Sequence, residues 1–298
     1  MSGVTTFPTP LVLLTGYEAR QRAIESLTRL PPFSPILSKL LASMAGEDVS
    51  FMVLGELIEK DTVVAANILK LVNSATYARR GTVSSVRRAL SVLGIEKIRN
   101  TVLAMSISRM MNQAKPPEGW SMERFNKHAA AVAMLGDLLA QNVQAEFPEG
   151  AFVAGLLHDI GRLLIAMGLP REYAEISRLY RESDKSWFES EKEVLGFHHA
   201  GLSADAVGEW KLPDGIREAI LWHHEPPPIV PGRPIPLAAV LHAANVFVDA
   251  FGHSIEVDPR AEMEALAGIE SLGMAPALQA KVIEYFQVEH AAIAHFYQ

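Results

Sequence analysis

The sequence predicts an all-α protein, a two-lobed bundle of about a dozen helices. Three observations carry that prediction. Apolar residues recur at i, i+3, i+4 and i+7 through most of the 298 residues. Ser and Asp stand where those stretches begin, and Gly or Pro where they end. Period-two alternation is scarce, and no Asn-Gly hairpin signal occurs. A hydrophobic content of 49% with 20% charged residues is that of a globular chain able to bury a large core.

Residues 1–16 read as an irregular lead-in with Pro8 and Pro10. A helix over 18–30 ends at Pro31 and Pro32, and a second over 34–45 stops at Gly46. Ser50 caps a third, with Phe51, Leu54, Leu57 and Ile58 on one side, and Asp61 caps a fourth. In the fourth, Val64, Ile68, Leu71, Val72 and Ala75 form the stripe, with Asn67 and Asn73 within or beside it. Ser84 or Ser85 opens a fifth helix to Leu93; after Gly94 a sixth runs over 95–111. The K-P-P-E-G-W stretch at 115–120 combines Pro-Pro with Gly and divides the chain into lobes 1–115 and 116–298.

Ser121 caps a long helix to Val143 in which His128, Val132, Leu135 and Leu139 share a face. Residues 151–167 then read as one continuous apolar helix that carries His158, Asp159 and Arg162 in its middle. Ala151 and Gly155 on the His158 flank would let another helix or a ligand shell approach. Further helices cover 171–183 and 187–197, with H-H-A-G at 198–201 continuing into 202–210. Pro213 breaks the chain, Asp214 caps a helix ending in W-H-H-E at 222–225, and P-P-P-I-V-P-G-R-P-I-P is a rigid loop. A helix over 237–251 carries His242 and Asn245, and the tail from Pro259 reads as two or three more helices.

The net charge of −7 argues against a broad basic nucleic-acid surface. A solvated helix face with its flanking turn accounts for the local cluster Arg79, Arg80, Arg87 and Arg88. The absence of cysteine excludes a disulfide framework, a thiolate zinc site and a cysteine nucleophile, and fits a reducing cytoplasm. The N-terminus has no basic region ahead of its short apolar run, so no signal peptide is expected. No uncharged apolar run of about eighteen residues occurs, so a soluble chain without a membrane span is expected.

Ten histidines are present, and His128, His158–Asp159, His199 and His223–His224 all follow the lobe boundary. Histidine and aspartate suit Fe, Mn, Ni or Zn when thiolate is absent. The long gaps between them exclude a local loop site and fit one assembled from several helices. Spacing alone leaves alternatives open: His128 as a satisfied core histidine, the His-His pair as carbonyl caps, and His158–Asp159 as a buried ion pair. Adjacent helical side chains also diverge by about 100°, so neither doublet reaches one ion by spacing alone.

H-D-I-G-R at 158–162, with His128 one helix earlier and histidines following, is similar to the HD superfamily of metal-dependent phosphohydrolases. The segments L-P-P-F-S-P-I-L-S-K-L-L, D-T-V-V-A-A-N-I-L-K-L-V-N-S-A-T-Y and V-S-S-V-R-R-A-L-S-V-L-G-I-E-K-I-R narrow this to the HDOD domain. That HD-related output domain of bacterial signalling proteins is also resembled by V-L-G-F-H-H-A-G-L-S-A and A-I-L-W-H-H-E-P-P, so that the resemblance spans roughly 20–230. It implies a regulatory or interaction module. The chain is also similar to the HD-GYP phosphodiesterases of cyclic di-GMP, whose metal-site histidines and H-D pair match His128, His158, Asp159, His199, His223 and His224.

Two departures weaken the enzymatic implication. The G-Y-P loop is replaced by the proline-rich loop, and Asn245 stands where the family has an aspartate. Arg162 replaces a lysine; it can clamp phosphate bidentately but cannot act as a base. The resemblance thus implies a bacterial signalling module, non-catalytic, with one or two divalent ions. Its partner would be a signalling protein or a small phosphorylated ligand, and the first lobe, with Asn67, Asn73 and Tyr77, is the expected partner surface. The alternative is a phosphohydrolase or phosphodiesterase on a nucleotide-like substrate, in which Asp159 and Arg162, or Lys192, would act on the phosphoryl group.

Overall fold

Local side-chain chemistry sets most helix starts in the computed structural model, which describes residues 13–44, 50–74, 77, 82–256 and 267–293. Ser34 Oγ accepts from the Leu37 amide, and Ser50 Oγ from that of Val53. Asp61 accepts from Val63 and Val64, Ser85 from Arg88 and Ser121 from Arg124. Each cap satisfies a backbone N–H that has no partner inside its own helix. The first lobe comprises α1 (Gly16–Glu25), α2 (Pro35–Ser43), α3 (Phe51–Lys60), α4 (Thr62–Val72), α5 (Val86–Leu93) and α6 (Ile95–Met111).

After the loop at 112–121 come α7 (Met122–Asn142), α8 (Ala151–Leu157), α9 (Ile160–Gly168), α10 (Pro170–Glu182) and α11 (Trp187–Leu195). They are followed by α12 (His199–Glu209), α13 (Asp214–Leu221), α14 (Leu237–Val248) and α15 (Pro276–Ile293). Among the described residues no strand forms; a single bridge pairs Ala145 with Ile235. Residues 1–12 of the predicted lead-in, the stop at Gly46, Ala75, Arg79, Arg80 and the start of the tail at Pro259 lie outside the described residues. Arg87 and Arg88 are exposed on α5, as a solvated face requires.

The buried apolar residues form a core that runs from Ile36 in α2 through α7 and α8 to Phe286 in α15. The N-terminal helix α1 packs across the boundary: Ala19 and Ala23 join Ile165, Ala166 and Leu169 of the α9 region in a second cluster. An 18-residue window within 148–168 is apolar enough to cross a membrane, yet that window is buried within the fold.

The helix expected over 18–30 starts at Gly16 and gives way to a 3-10 turn at Ser26–Arg29, and four boundaries in the second lobe differ from the sequence expectation. Residues 151–167 are not one helix; α8 ends at Leu157 and α9 starts at Ile160. The segment 187–210 is likewise broken, because Gly196 adopts φ +77° and α12 starts afresh at His199. Pro213, not Asp214, occupies the N-cap of α13, and that helix stops at Leu221, so His223 and His224 lie in the following turn. Finally, α14 ends at Val248 and passes into a π-helical turn, Asp249–His253.

Candidate metal centre

The break between α8 and α9 overcomes the 100° divergence of adjacent helical side chains. His158 closes α8 in helical conformation, whereas Asp159 leaves it at φ −104°, ψ 9°. His158 Nε2 and Asp159 Oδ1 are thereby 3.5 Å apart and fully enclosed. Two glycines bring the neighbouring helices up to this turn. A Cβ on Gly155 would lie 2.4 Å from the Ala133 Cα, so α7 crosses α8 with its backbone in contact. A Cβ on Gly161 would lie 2.1 Å from the His199 carbonyl oxygen, and the Gly161 amide donates to Ser203 Oγ at 2.8 Å.

These approaches deliver the remaining side chains. His128, one turn back along α7, places Nε2 3.2 Å from His158 Nε2. His199, the first residue of α12, places Nε2 3.0 Å from Asp159 Oδ1. His223 Nε2 is 3.7 Å from that same oxygen, and His224 Nε2 is 2.8 Å from His199 Nε2. All six residues named from the sequence converge, in two groups that share Asp159. One is His128, His158 and Asp159; the other is Asp159, His199, His223 and His224.

The far nitrogen of each ring fixes which atom faces inward. Nδ1 of His128 donates to the His253 carbonyl at 3.0 Å, that of His158 to Gly155 at 2.8 Å, and that of His223 to Ile220 at 2.7 Å. A carbonyl only accepts, so each Nδ1 carries the proton and each Nε2 presents a lone pair when the ring is neutral. Burial keeps these rings neutral: it pushes the His128 pKa down to about 3, assisted by His158, and lowers those of His158 and His223. His199 differs. Burial opposes its charge, but Glu191 and Asp159 outweigh burial and push its pKa up to about 9.

Burial also opposes the charge on Asp159, yet the surrounding histidines and Arg162 hold its carboxyl well below the usual carboxylate range. Asp159 Oδ1 and His223 Nε2 are buried without a hydrogen-bond partner. Leaving such groups unsatisfied costs about 1–3 kcal/mol each. A cation among these lone pairs removes that cost, so the donor set fits a divalent metal of the type that takes nitrogen and oxygen ligands. Asn245 is buried too, and its Oδ1 has no partner, so it can add an oxygen but no charge.

Sequence reasoning missed two carboxylates behind the rings. Glu191, wholly buried on α11, accepts from Trp187 Nε1 at 2.8 Å, the His199 amide at 2.8 Å and His199 Nδ1 at 2.6 Å. Its signal was a Glu on the same face as Trp187 and Leu195, at i, i+4 and i+8. Asp249 stands 3.5 Å from His128 Nδ1, one turn beyond Asn245.

The cluster opens into a cavity of about 600 Å³ that Arg162 and Asn245 also line. Arg162 Nη1 is 3.5 Å from Asp159 Oδ2, and its guanidinium stacks 4.5 Å over the Trp187 ring. Its Nε and Nη2 are buried and donate to nothing. Lys192 stands at the mouth, paired with Glu225 at 3.0 Å and 4.1 Å over Phe188. The proline-rich loop leads away from the cavity. The Ile235 amide donates to the Gln144 carbonyl beyond the end of α7, roughly 20 Å along that helix from His128.

Comparison with known proteins agrees with the all-α fold. The chain resembles the crystal structure of an HDOD domain protein from Geobacter sulfurreducens, with a TM-score of 0.74 and 22% identity over 94% of this chain and 98% of that one. A candidate phosphohydrolase from Shewanella amazonensis SB2B superposes with a TM-score of 0.70 and 24% identity, over 93% and 98% of the two chains. An uncharacterised protein of Treponema pallidum is 21% identical over 221 residues, which are 74% of this chain and 42% of the Treponema protein. Residues 30–226 match the HDOD domain. The chain therefore belongs to the HDOD domain family.

Proposed function

We propose that the protein is a regulatory signalling module that holds one or two divalent ions (Fe, Mn, Ni or Zn) and binds a small phosphorylated ligand beside them. The observation that carries this reading is Arg162. A buried guanidinium with two donors unpaired, stacked on Trp187 and lining the cavity of the histidine cluster, matches the oxygens of a phosphate group. His128, His158 and Asp159 would hold one ion, and Asp159, His199, His223 and His224 a second. Bound there, a divalent ion would supply Lewis-acid polarisation of a phosphoryl oxygen.

Two features favour ligand binding over turnover. Asp159 turns Oδ1 toward the histidines and Oδ2 toward His128 and Arg162, and these neighbours hold its carboxyl well below the usual carboxylate range, which makes it a weak base. Asn245 supplies a neutral amide. The alternative is a phosphohydrolase, favoured by the fold shared with the Shewanella protein and by a cavity open directly onto Asp159 and Arg162.

The test is titration of the Mn²⁺-loaded full chain with inorganic phosphate and with phosphomonoesters and cyclic dinucleotides, while product is assayed. Saturable phosphate binding that weakens at least about tenfold in Arg162→Lys, without turnover, supports the reading. Turnover abolished by Asp159→Ala replaces it with the enzymatic one, and no phosphate binding at all overturns both.

A further inference from the structure

A second cavity lies on the opposite side of α7 from the histidine cluster, between α6, α7, α8 and α15. Its volume is about 160 Å³. Asp137 lines it, and its carboxylate accepts only from amides: Asn100 Nδ2 at 3.1 Å and Gln141 Nε2 at 3.1 Å, both on Oδ2. Among the described residues no Lys or Arg reaches ion-pair distance of it.

Two cations stand nearby. Lys97 pairs with Glu289, which also accepts from the Tyr77 hydroxyl, and Arg99 stands 4.0 Å from Glu96 in a neighbouring groove that Asp137 also lines, beyond ion-pair distance of Asp137. Burial, reinforced by Glu96 and only partly offset by Gln141 and Arg99, pushes the Asp137 pKa up to about 7.

An independent feature points the same way. Asn100 is 93% buried, and while its Nδ2 donates to Asp137 its Oδ1 is buried beside the cavity with no partner. The site therefore presents the Asp137 carboxylate, bonded only by amides, with Glu96 beside it and the unpartnered Asn100 Oδ1 behind it. Met134, Leu138, Phe152 and Tyr285 supply apolar walls, and the Tyr285 ring is already within 5.7 Å of the Lys97 ammonium. Among the described residues, the groups of three or more acidic or histidine ligands close enough for a metal ion all belong to the histidine cluster. Acceptors too dispersed for a metal, lined by aliphatic and aromatic carbon, suit an organic cation.

We propose that this cavity is a binding site for a small aliphatic ammonium or guanidinium compound, whose cationic group pairs with Asp137 and Asn100 while its carbon chain packs on Met134, Leu138 and Phe152. The site is independent of the metal centre and of the reading given to it.

Calorimetric titration of the full chain at pH 8 with putrescine and agmatine, in an amine-free buffer, tests the proposal. One saturable site per chain is expected for at least one of the two. Asp137→Asn should weaken it at least about tenfold with metal content unchanged, since a charge-assisted pair becomes a neutral one. Met134→Phe, which narrows the cavity and keeps every charge, should weaken it as well. If either variant fails to fold, the wild-type melting temperature serves, with putrescine raising it above the value in sodium chloride of equal ionic strength. Absence of saturable binding, equal binding by Asp137→Asn, equal binding of 1-butanol, or displacement of putrescine by Mg²⁺ or Ca²⁺ at equal concentration would each overturn the assignment.

Discussion

Gly161→Ala tests whether helix packing builds the metal centre. The new Cβ would lie 2.1 Å from the His199 carbonyl oxygen and 2.8 Å from its carbon. Ordinary contact begins at 3.4 Å, about 1.3 Å more, and the obstacle is backbone at the first turn of α12, which has no rotamer to change. Overpacking of this kind costs about 2–3 kcal/mol, which for a chain of this length lowers Tm by roughly 5 °C. The displacement falls on His199, and metal sites tolerate only about 0.2 Å in ligand position.

The variant should therefore lose metal as well as stability. Gly168→Ala is the matched control. Its Cβ would meet Arg22 O at 2.8 Å and Ala23 Cα at 2.9 Å, where α9 packs on α1 away from the cluster. It should lower Tm and retain metal. Differential scanning calorimetry combined with metal analysis after dialysis reads both effects. Metal retention by Gly161→Ala equal to wild type, or equal loss in Gly168→Ala, would refute the argument.

Three further outcomes follow from the same structure. Asp137 keeps its proton in the folded state up to about pH 7 but only to 3.8 when unfolded. It stabilises the fold fully below pH 3.8 and loses that contribution as pH rises through 7, with a ceiling of about 4 kcal/mol. Asp137→Asn should thus gain stability relative to wild type between pH 5 and pH 8 in urea unfolding; an unchanged difference contradicts the assignment. Glu191→Gln leaves one acceptor for three donors and should cost about 2–4 kcal/mol and at least tenfold in metal affinity; stability within 0.5 kcal/mol of wild type, an order-of-magnitude threshold, would show that Glu191 does not hold His199. EDTA should lower the wild-type Tm and leave that of Asp159→Ala unmoved, since ligand binding to the native state alone stabilises it.

Helix starts were legible because a cap is local: Ser50, Asp61 and Ser121 bond amides two or three residues away. The six converging residues were legible from residue type and from family resemblance. The break at His158–Asp159 was not, since no Gly or Pro marks it. It arises from tertiary contact, where α7 presses on Gly155 and α12 on Gly161. The turn holding His223 and His224 escaped notice for a related reason, because Pro213 fixes the start of α13 but nothing local announces its end. Glu191 and Asp249 were missed because their role exists only across helices, Glu191 toward His199 and Asp249 toward His128.

The central claim is that Asp159 joins two ligand groups into one centre. Metal analysis of the full chain, loaded with Fe²⁺ or Mn²⁺ and then desalted, tests it most directly. The wild-type protein should retain at least one equivalent, His158→Ala should lose part of it, and Asp159→Ala should lose all of it while keeping its helical circular dichroism. Substoichiometric metal in the wild type that neither substitution changes would contradict the account.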